Sequence, residues 1–526
     1  MTTTLDSRPV ADEAPAPRRR QAGAGLAIKL LIMAAINAFG FYGIAASWLA
    51  GQWGILVFLV AGLIGANVIY FWNDRRTLPW KYLYPAAVML LIFQVFVVIY
   101  TAGIAFTNYG DGHNSTKDDA ITAIELKYDE PVPDAPARPV TVISGDDGLG
   151  LAVLDDADRV LAATTGEELT PVEATVEDGQ ITAVDGYEVL SAEDAMARQQ
   201  EVLDVRVLSP DEGDVVRTND ARTSTTYVST MRYDEAQDAM IAADGTVYTP
   251  NDTGSFASES GEELLPGWRV NVGLSNFTQV FADSNYAGPF MKVTAWTFVF
   301  AFLSVALTFF AGLLMALLFN DPNMKFRGFY RALVIMPYAF PAFLSILIWA
   351  GLLNTDFGFF NQILFGGADI NWLGDPWLAR FSAVMVNLWL GFPYMFLVTT
   401  GALQSIPDDV YKAAKIDGAG AWTTFRKITL PLLMVAVGPL LVASFAMNFN
   451  NFNVIYLLTG GGPRDLDSPT GVGATDILIS FVYKIAFASG ENQYGVASAI
   501  SLMIFIMVAV VSAITLVRSN SLKEID

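Results

Sequence analysis

Two sets of residues in this chain have the types and spacing to handle a ligand. Asn387, Leu390, Gly391 and Tyr394 fall at i, i+3, i+4 and i+7, so on a helix they share one face. Ser444, Met447, Asn448 and Asn451 repeat that spacing 57 residues on. Both stripes sit near the middle of long apolar runs, where an amide is costly unless it has a partner or a wet cavity. Two readings stay open. Asparagine commonly hydrogen-bonds between membrane helices. Alternatively, neutral amides, a phenol and stacking surface suit a neutral, hydroxyl-rich ligand in a polar cavity. Asn448, Asn450, Asn451 and Asn453 crowd one run, more than packing alone usually needs, which favours the cavity.

Other chemistries find less support. The chain has no G-x-x-x-x-G-K-[ST] loop, so it does not bind ATP by that device. His113 is its one histidine and it has no cysteine, which excludes thiolate metal sites and disulfides and makes a histidine–zinc cluster or a serine triad remote. Asp118/Asp119, Asp146/Asp147 and Asp155/Asp156 are paired carboxylates, but in so acidic a region such pairs are ordinarily solvated surface. No Asp, Glu, Lys or Arg lies mid-span beside the two stripes, which argues against ion coupling. Pro337, Pro341 and Pro393 can break helices and expose carbonyls, the other way to hold an ion.

The elements that position these residues follow from hydropathy. Of 526 residues 53% are hydrophobic and 16% charged, too apolar for a soluble chain of this length. Runs long enough to cross a bilayer lie near 25–48, 54–73, 84–107, 293–319, 330–353, 380–403, 433–458 and 495–517. The expected fold class is an all-α polytopic membrane protein of eight transmembrane helices with an inserted β-rich extracytoplasmic domain.

Five domains are expected: a disordered basic cytoplasmic tail (1–24), spans one to three (25–107), an acidic extracytoplasmic domain (108–288), a core of spans four to eight (289–518) and a cytoplasmic tail (519–526). The formal net charge is −22, yet residues 108–288 carry 36 acidic and 10 basic residues, so the rest of the chain is slightly basic. Within 108–288, Val140 to Ile143, Gln180 to Val184 and Val205 to Leu208 alternate like short strands. Segment 475–489 is apolar but short, and is expected to be interfacial or re-entrant.

Basic residues set the orientation. Arg18, Arg19 and Arg20, then Arg75, Arg76 and Lys81, then Lys325, Arg327 and Arg331, then Lys412, Lys415, Arg426 and Lys427, then Arg518 and Lys523 fall on one side of an eight-span chain. That side is the cytoplasm, with both termini inside and 108–288 exported.

The cytoplasmic loop 404–431 is expected to hold a short helix capped by Asp408 or Asp409 and ending at Ile416, a turn at Gly418, and a second short helix stopping before Pro431. Its Ala413-Ala414-x-x-Asp417-Gly418-Ala419 pattern, followed by Phe425, Ile428 and Leu430-Pro431, resembles the EAA loop by which ABC-importer permeases dock on their ATPase subunits. Lys412 stands where that family commonly has Glu. Trp389 to Tyr394, Ile406 to Asp409, Ser444 to Phe452 and Gly461-Gly462-Pro463 extend the resemblance to the MalF-type permeases of maltose/maltodextrin importers, from residue 25 onward and most weakly in 108–288.

The resemblance implies a plasma-membrane transport subunit and no enzyme. Its substrate-binding residues would be Asn387, Leu390, Gly391, Tyr394, Ser444, Met447, Asn448 and Asn451, with Met447 where an aromatic is expected. Its ATPase-coupling residues would be Lys412, Ala413, Ala414, Asp417, Gly418 and Ala419. It implies a second, MalG-like permease, two MalK-like ATPase subunits holding ATP and Mg, an extracytoplasmic sugar-binding protein, and no cofactor or metal on this chain. The sequence has no basic stripe with interleaved aromatics, so no nucleic acid is expected as a partner. Trehalose or another neutral sugar is the alternative substrate. An anchored sensor or enzyme working through its ectodomain is the alternative of another class.

Overall fold

The computed structural model describes residues 24–518 apart from 73, 134, 146–147, 156, 158, 178–179, 211–213, 321–323, 467, 469, 489 and 491. The basic tail with Arg18, Arg19 and Arg20, the segment 519–526 with Lys523, the carboxylates Asp146, Asp147 and Asp156, and the side chains of Arg75 and Arg518 lie outside the described residues.

The chain forms two compact units, Met1–Tyr100 and Thr101–Asp526. Seven described helices are long and apolar enough to span a bilayer: Gly25–Leu49, Trp53–Phe71, Leu78–Ile104, Ser284–Leu318, Pro376–Gln404, Ala421–Phe449 and Tyr494–Thr515. The pair Arg327–Ala339 and Ala342–Leu352, bent by 91°, makes an eighth, numbered fifth in chain order. Within the first unit, spans one and two are stapled by a reciprocal amide pair. Asn37 donates to Asn67 at 3.2 Å and Asn67 donates back at 2.8 Å.

Two runs expected to be single helices are interrupted, each for a local reason. In 330–353, Pro337 opens a 3-10 turn over Met336–Ala339. Phe340, forced toward extended backbone by the proline after it, sits at φ −85° and ψ 141°. Pro341 then starts the next helix. In 433–458 the helix ends at Phe449, and Asn450 leaves helical geometry at φ −110° and ψ 24°. Asn451 caps the helix Phe452–Thr459. The asparagines that make this run polar also break it, because short amides compete with the backbone for its hydrogen bonds. Segment 475–489 is a ten-residue helix, Leu478–Phe487, with Leu478, Phe481 and Ile485 deeply buried.

Residues 108–288 are β-rich. The expected strands are present as Arg138–Gly145, Gln180–Val184 and Arg206–Leu208. The larger sheet is antiparallel and runs Thr170–Pro171, Val160–Thr164, Gly148–Leu154, Arg138–Gly145, Thr223–Ser229, Asp214–Thr218, Arg206–Leu208. Its alternation puts Val140, Val142, Leu151 and Val153 in one core and Ile143, Ala152 and Ala162 in another. A five-stranded meander from Met231 to Leu264 packs Met240, Tyr248 and Phe256 under the helix Lys117–Lys127. Arg206 joins the two parts through buried Asp129 at 3.0 Å and Glu125 at 3.2 Å. His113 is a loop residue bonded to Ser255 at 3.0 Å, and burial lowers its pKa.

Within the second unit the fourth span packs along the sixth. Gly312 on it and Gly391 on the sixth span mark their crossing. A Cβ added to Gly312 would lie 2.6 Å from Met395 backbone, and one added to Gly391 would lie 2.8 Å from the Thr308 methyl. Small residues permit this approach, as is usual between helices in lipid.

Candidate transport site and coupling loop

The two stripes meet at the break in the seventh span. Asn387, buried in the sixth span, donates to the Asn448 carbonyl oxygen at 2.7 Å. Its own carbonyl accepts from Asn451 at 3.0 Å. Asn448 donates to the Ser444 backbone carbonyl one turn back, at 2.8 Å. The three amides therefore form one chain of bonds that pins the broken end of the seventh span to the sixth. This is the arrangement the packing reading anticipates. It also leaves each amide a second N–H or lone pair for a further partner.

The remaining stripe residues divide by environment. Ser444 is buried, Leu390 is half-buried in the core shared by Phe300, Ile346 and Val386, and Gly391 faces Thr308. Tyr394 is half-buried, and its hydroxyl has no hydrogen bond among the described residues. Met447 is 75% exposed on the chain alone. Asn451 is brought to Asn387 by the break rather than by helical spacing, since the helix stops two residues before it.

Beyond the break lies a set of residues that the sequence reading missed. Asp476, with no exposed side-chain surface, accepts from Lys484 at 2.6 Å, from Ser480 at 2.8 Å and from the Gly473 backbone at 2.7 Å. Burial outweighs the pull of Lys484 and raises the Asp476 pKa. The loop it fixes reaches three helices. Thr475 bonds Thr459 at 2.7 Å, its carbonyl accepts from Trp296 at 3.2 Å, and the Ala474 carbonyl accepts from Arg380 at 2.8 Å. Arg380 also lies over the Trp296 and Trp377 rings, at 5.1 and 5.3 Å. An acid and a base eight residues apart in an otherwise apolar stretch were the available signal.

The loop 404–431 begins with a helix, Asp408–Ile416. Its N-cap is Pro407, without a side-chain cap, so neither Asp408 nor Asp409 caps it. Both lie in the first turn, where they favour the helix dipole, and Asp409 pairs with Lys412 at 2.8 Å. Gly418 makes the turn at φ +76°, which suits glycine. The second helix does not stop before Pro431 but runs on into the seventh span. A π-helical turn over Phe425–Thr429 widens the helix where the proline ring would strike a carbonyl and cannot donate. Ala413, Lys412, Asp417 and Gly418 are exposed, and Ala419 is half-buried. Ala414 is 5% exposed and so faces its own chain. Ile416 and Trp422, 86% and 70% exposed, are the large apolar groups this loop presents.

Apolar spans, one of them bent and one interrupted beside a cluster of amides, together with an ordered loop exposing Ile416 and Trp422, are the architecture of a multi-pass membrane protein. Residues 285–520 match the model of the binding-protein-dependent transport system inner membrane component, and residues 88–166 match the N-terminal part of transmembrane subunits in binding-protein-dependent ABC transporters. The chain is similar to the maltose/maltodextrin transport system permease protein MalF of Salmonella typhi, 36% identical over 88% of this chain and 91% of that one. The MalF of Vibrio cholerae is 32% identical over 93% of this chain and 94% of its own. A solved bacterial ABC transporter for import of alginate aligns at TM-score 0.41 and 22% identity, over 47% of this chain and 83% of that one. The chain belongs to the MalF family of permease proteins, multi-pass components of the inner membrane.

Proposed function

We propose that this chain is the permease subunit of an ATP-driven importer that moves maltose/maltodextrin-type oligosaccharides across the bacterial plasma membrane. The observation that carries it is the match to MalF permeases at 32–36% identity over about nine-tenths of the chain. Its partners are a second, MalG-like permease, two MalK-like ATPase subunits that hold ATP and Mg, and an extracytoplasmic sugar-binding protein. Both termini are cytoplasmic and residues 108–288 lie outside.

The sugar site takes Asn387, Leu390, Gly391, Tyr394, Ser444, Met447, Asn448 and Asn451. Within it the amide chain sets the shape of the break and offers its spare N–H groups and lone pairs to sugar hydroxyls. Tyr394 and Met447 supply the surface against which a pyranose ring packs. Coupling runs through Lys412, Ala413, Ala414, Asp417, Gly418 and Ala419, with Ala414 seating the helix and the exposed residues meeting the ATPase. ATP-driven closure of the ATPase dimer moves this helix, and the continuous helix Ala421–Phe449 carries that motion to the break beside Asn448. The test is uptake by the reconstituted complex with its binding protein, across maltose, maltotriose, trehalose and a non-sugar solute. Maltodextrin-selective, ATP-dependent uptake is expected. Uptake of trehalose alone would reassign the substrate, and uptake of no sugar would remove the reading.

A further inference from the structure

We infer that the root of the ectodomain and the start of the eighth span form one rigid joint, and that Gly495, Gly110 and Asn276 are positioning residues. Through this joint, movement of the ectodomain shifts the eighth span against the transport core. The inference rests on the transport reading above and adds the route by which an event outside would reach the site.

Three chain segments meet there. The chain enters the ectodomain at Thr107, which pairs with Asn271 on the way out. Val272 donates to the Phe106 carbonyl at 2.8 Å, and Val270 donates to the Asn108 side chain at 2.8 Å. The buried Asn276 side chain donates to the Ala105 and Thr107 carbonyls, at 2.9 and 2.8 Å. The third segment is the turn into the eighth span. Gly495 donates to the Tyr109 carbonyl at 2.8 Å, Asp111 donates to the Asn492 carbonyl at 3.1 Å, and Asn492 donates to the Asp111 carboxylate at 3.2 Å. The contact leaves no room for a side chain. A Cβ on Gly495 would lie 2.2 Å from the Thr107 carbonyl oxygen and 2.9 Å from the Asn276 amide, and one on Gly110 would lie 2.8 Å from the Asn492 carbonyl oxygen. The obstructing atoms are mostly backbone, which cannot swing aside.

Directly below the joint, Val496, Ala497, Ile500 and Ile504 of the eighth span enter the buried cluster that also holds Phe290, Val293 and Ala301 of the fourth span and Phe449. Phe449 is the last helical residue before the asparagine break and is neighbour to Asn448. A displacement of the eighth span therefore presses on the residue that ends the seventh. A contiguous set of packed groups is the physical means by which two sites can bias one element.

The test uses the full complex reconstituted with its binding protein and sugar. Gly495→Ala should leave basal ATPase activity and subunit co-purification unchanged, while stimulation by the loaded binding protein falls about fivefold or more, the lower end of usual coupling strengths. A second variant guards against misfolding. Because the chain has no cysteine, Asp111→Cys with Asn492→Cys can be oxidised to lock the joint shut, and stimulation should then stay at the wild-type level. Wild-type stimulation in Gly495→Ala, or loss of stimulation on locking the pair, would overturn the inference. Failure of the transport reading is distinguishable, since the wild-type complex itself would then show no stimulation by any loaded binding protein.

Discussion

Asn448 serves two masters. It receives a hydrogen bond from Asn387 and gives one to its own helix, so its removal tests packing and recognition together. Each amide bond lost should cost on the order of 1 kcal/mol. For Asn448→Ala we expect a small fall in melting temperature of the purified complex and a several-fold fall in sugar uptake. Tyr394 separates the two roles, because its hydroxyl has no hydrogen bond among the described residues. Tyr394→Phe should keep most uptake, and Tyr394→Ala should lose it at unchanged melting temperature. A Tyr394→Ala complex that melts early but transports normally would take Tyr394 out of the sugar site. Asp476 and Lys484 make a second residue-scale test. Removing one partner of a buried pair costs about 3 kcal/mol or more, because the other charge is stranded. In Lys484→Met the already raised Asp476 pKa should climb further. A raised carboxyl pKa means that stability is greatest at low pH and is lost as pH rises through the folded-state value. The variant should therefore lose more stability at pH 8 than at pH 5, relative to the parent, and a pH-independent loss would refute the pairing argument.

At the level of elements, the proposed coupling helix Asp408–Ile416 has an inner and an outer face, and the two should fail differently. Ala414 is buried, so Ala414→Trp overpacks the loop against its own chain, at a cost of about 1–3 kcal/mol. It should both lower the melting temperature and weaken co-purification of the ATPase. Ile416 and Trp422 are exposed, with Trp422 stacked on Phe425 at 5.7 Å. Ile416→Asp and Trp422→Ala should leave the melting temperature of the isolated permease pair unchanged and weaken ATPase binding alone. If Ile416→Asp retains the ATPase in pull-down at wild-type yield, the docking face lies elsewhere. Several features of these elements were legible beforehand: the short helix ending at Ile416, the glycine turn, and strands such as Gln180–Val184. The bend at Pro337 to Pro341 was half legible, since the prolines were visible but their combined 91° turn was not. The π-turn that lets a helix run through Pro431 had no signature, because it is an accommodation between one ring and one carbonyl.

The whole molecule makes a topological statement. On the proposed orientation, with both termini inside, residues 108–288 lie outside and loop 404–431 inside, and exposed positions allow this to be tested in intact cells. A cysteine at Asp185 should react with an impermeant maleimide, whereas one at Lys325 should react only after permeabilisation. Labelling of the Lys325→Cys chain from outside would invert or shorten the eight-span order. The charge distribution favours this proposed order, because the acidic excess sits in residues 108–288 and the basic clusters fall in short segments on the other side of an eight-span chain.

The class, the number of apolar runs, the β character of the acidic block and the two polar stripes can all be read from the amino-acid order alone. Each of these is written in local quantities: hydropathy over a span, alternation over a strand, spacing along a helix. The outcome where those quantities compete is settled only in the folded chain. Asparagines spaced as a helical stripe also broke their helix, so Asn451 reached Asn387 from beyond the break. Ala414 turned inward although its neighbour Ala413 is exposed. Asp476 and Lys484 became one buried pair, and Gly495 became a contact with Thr107, nearly four hundred residues away in the chain. Hydrophobic pattern is a property of one segment, whereas a hydrogen bond, an ion pair or a close backbone approach requires two, and their distance exists only once the chain has folded.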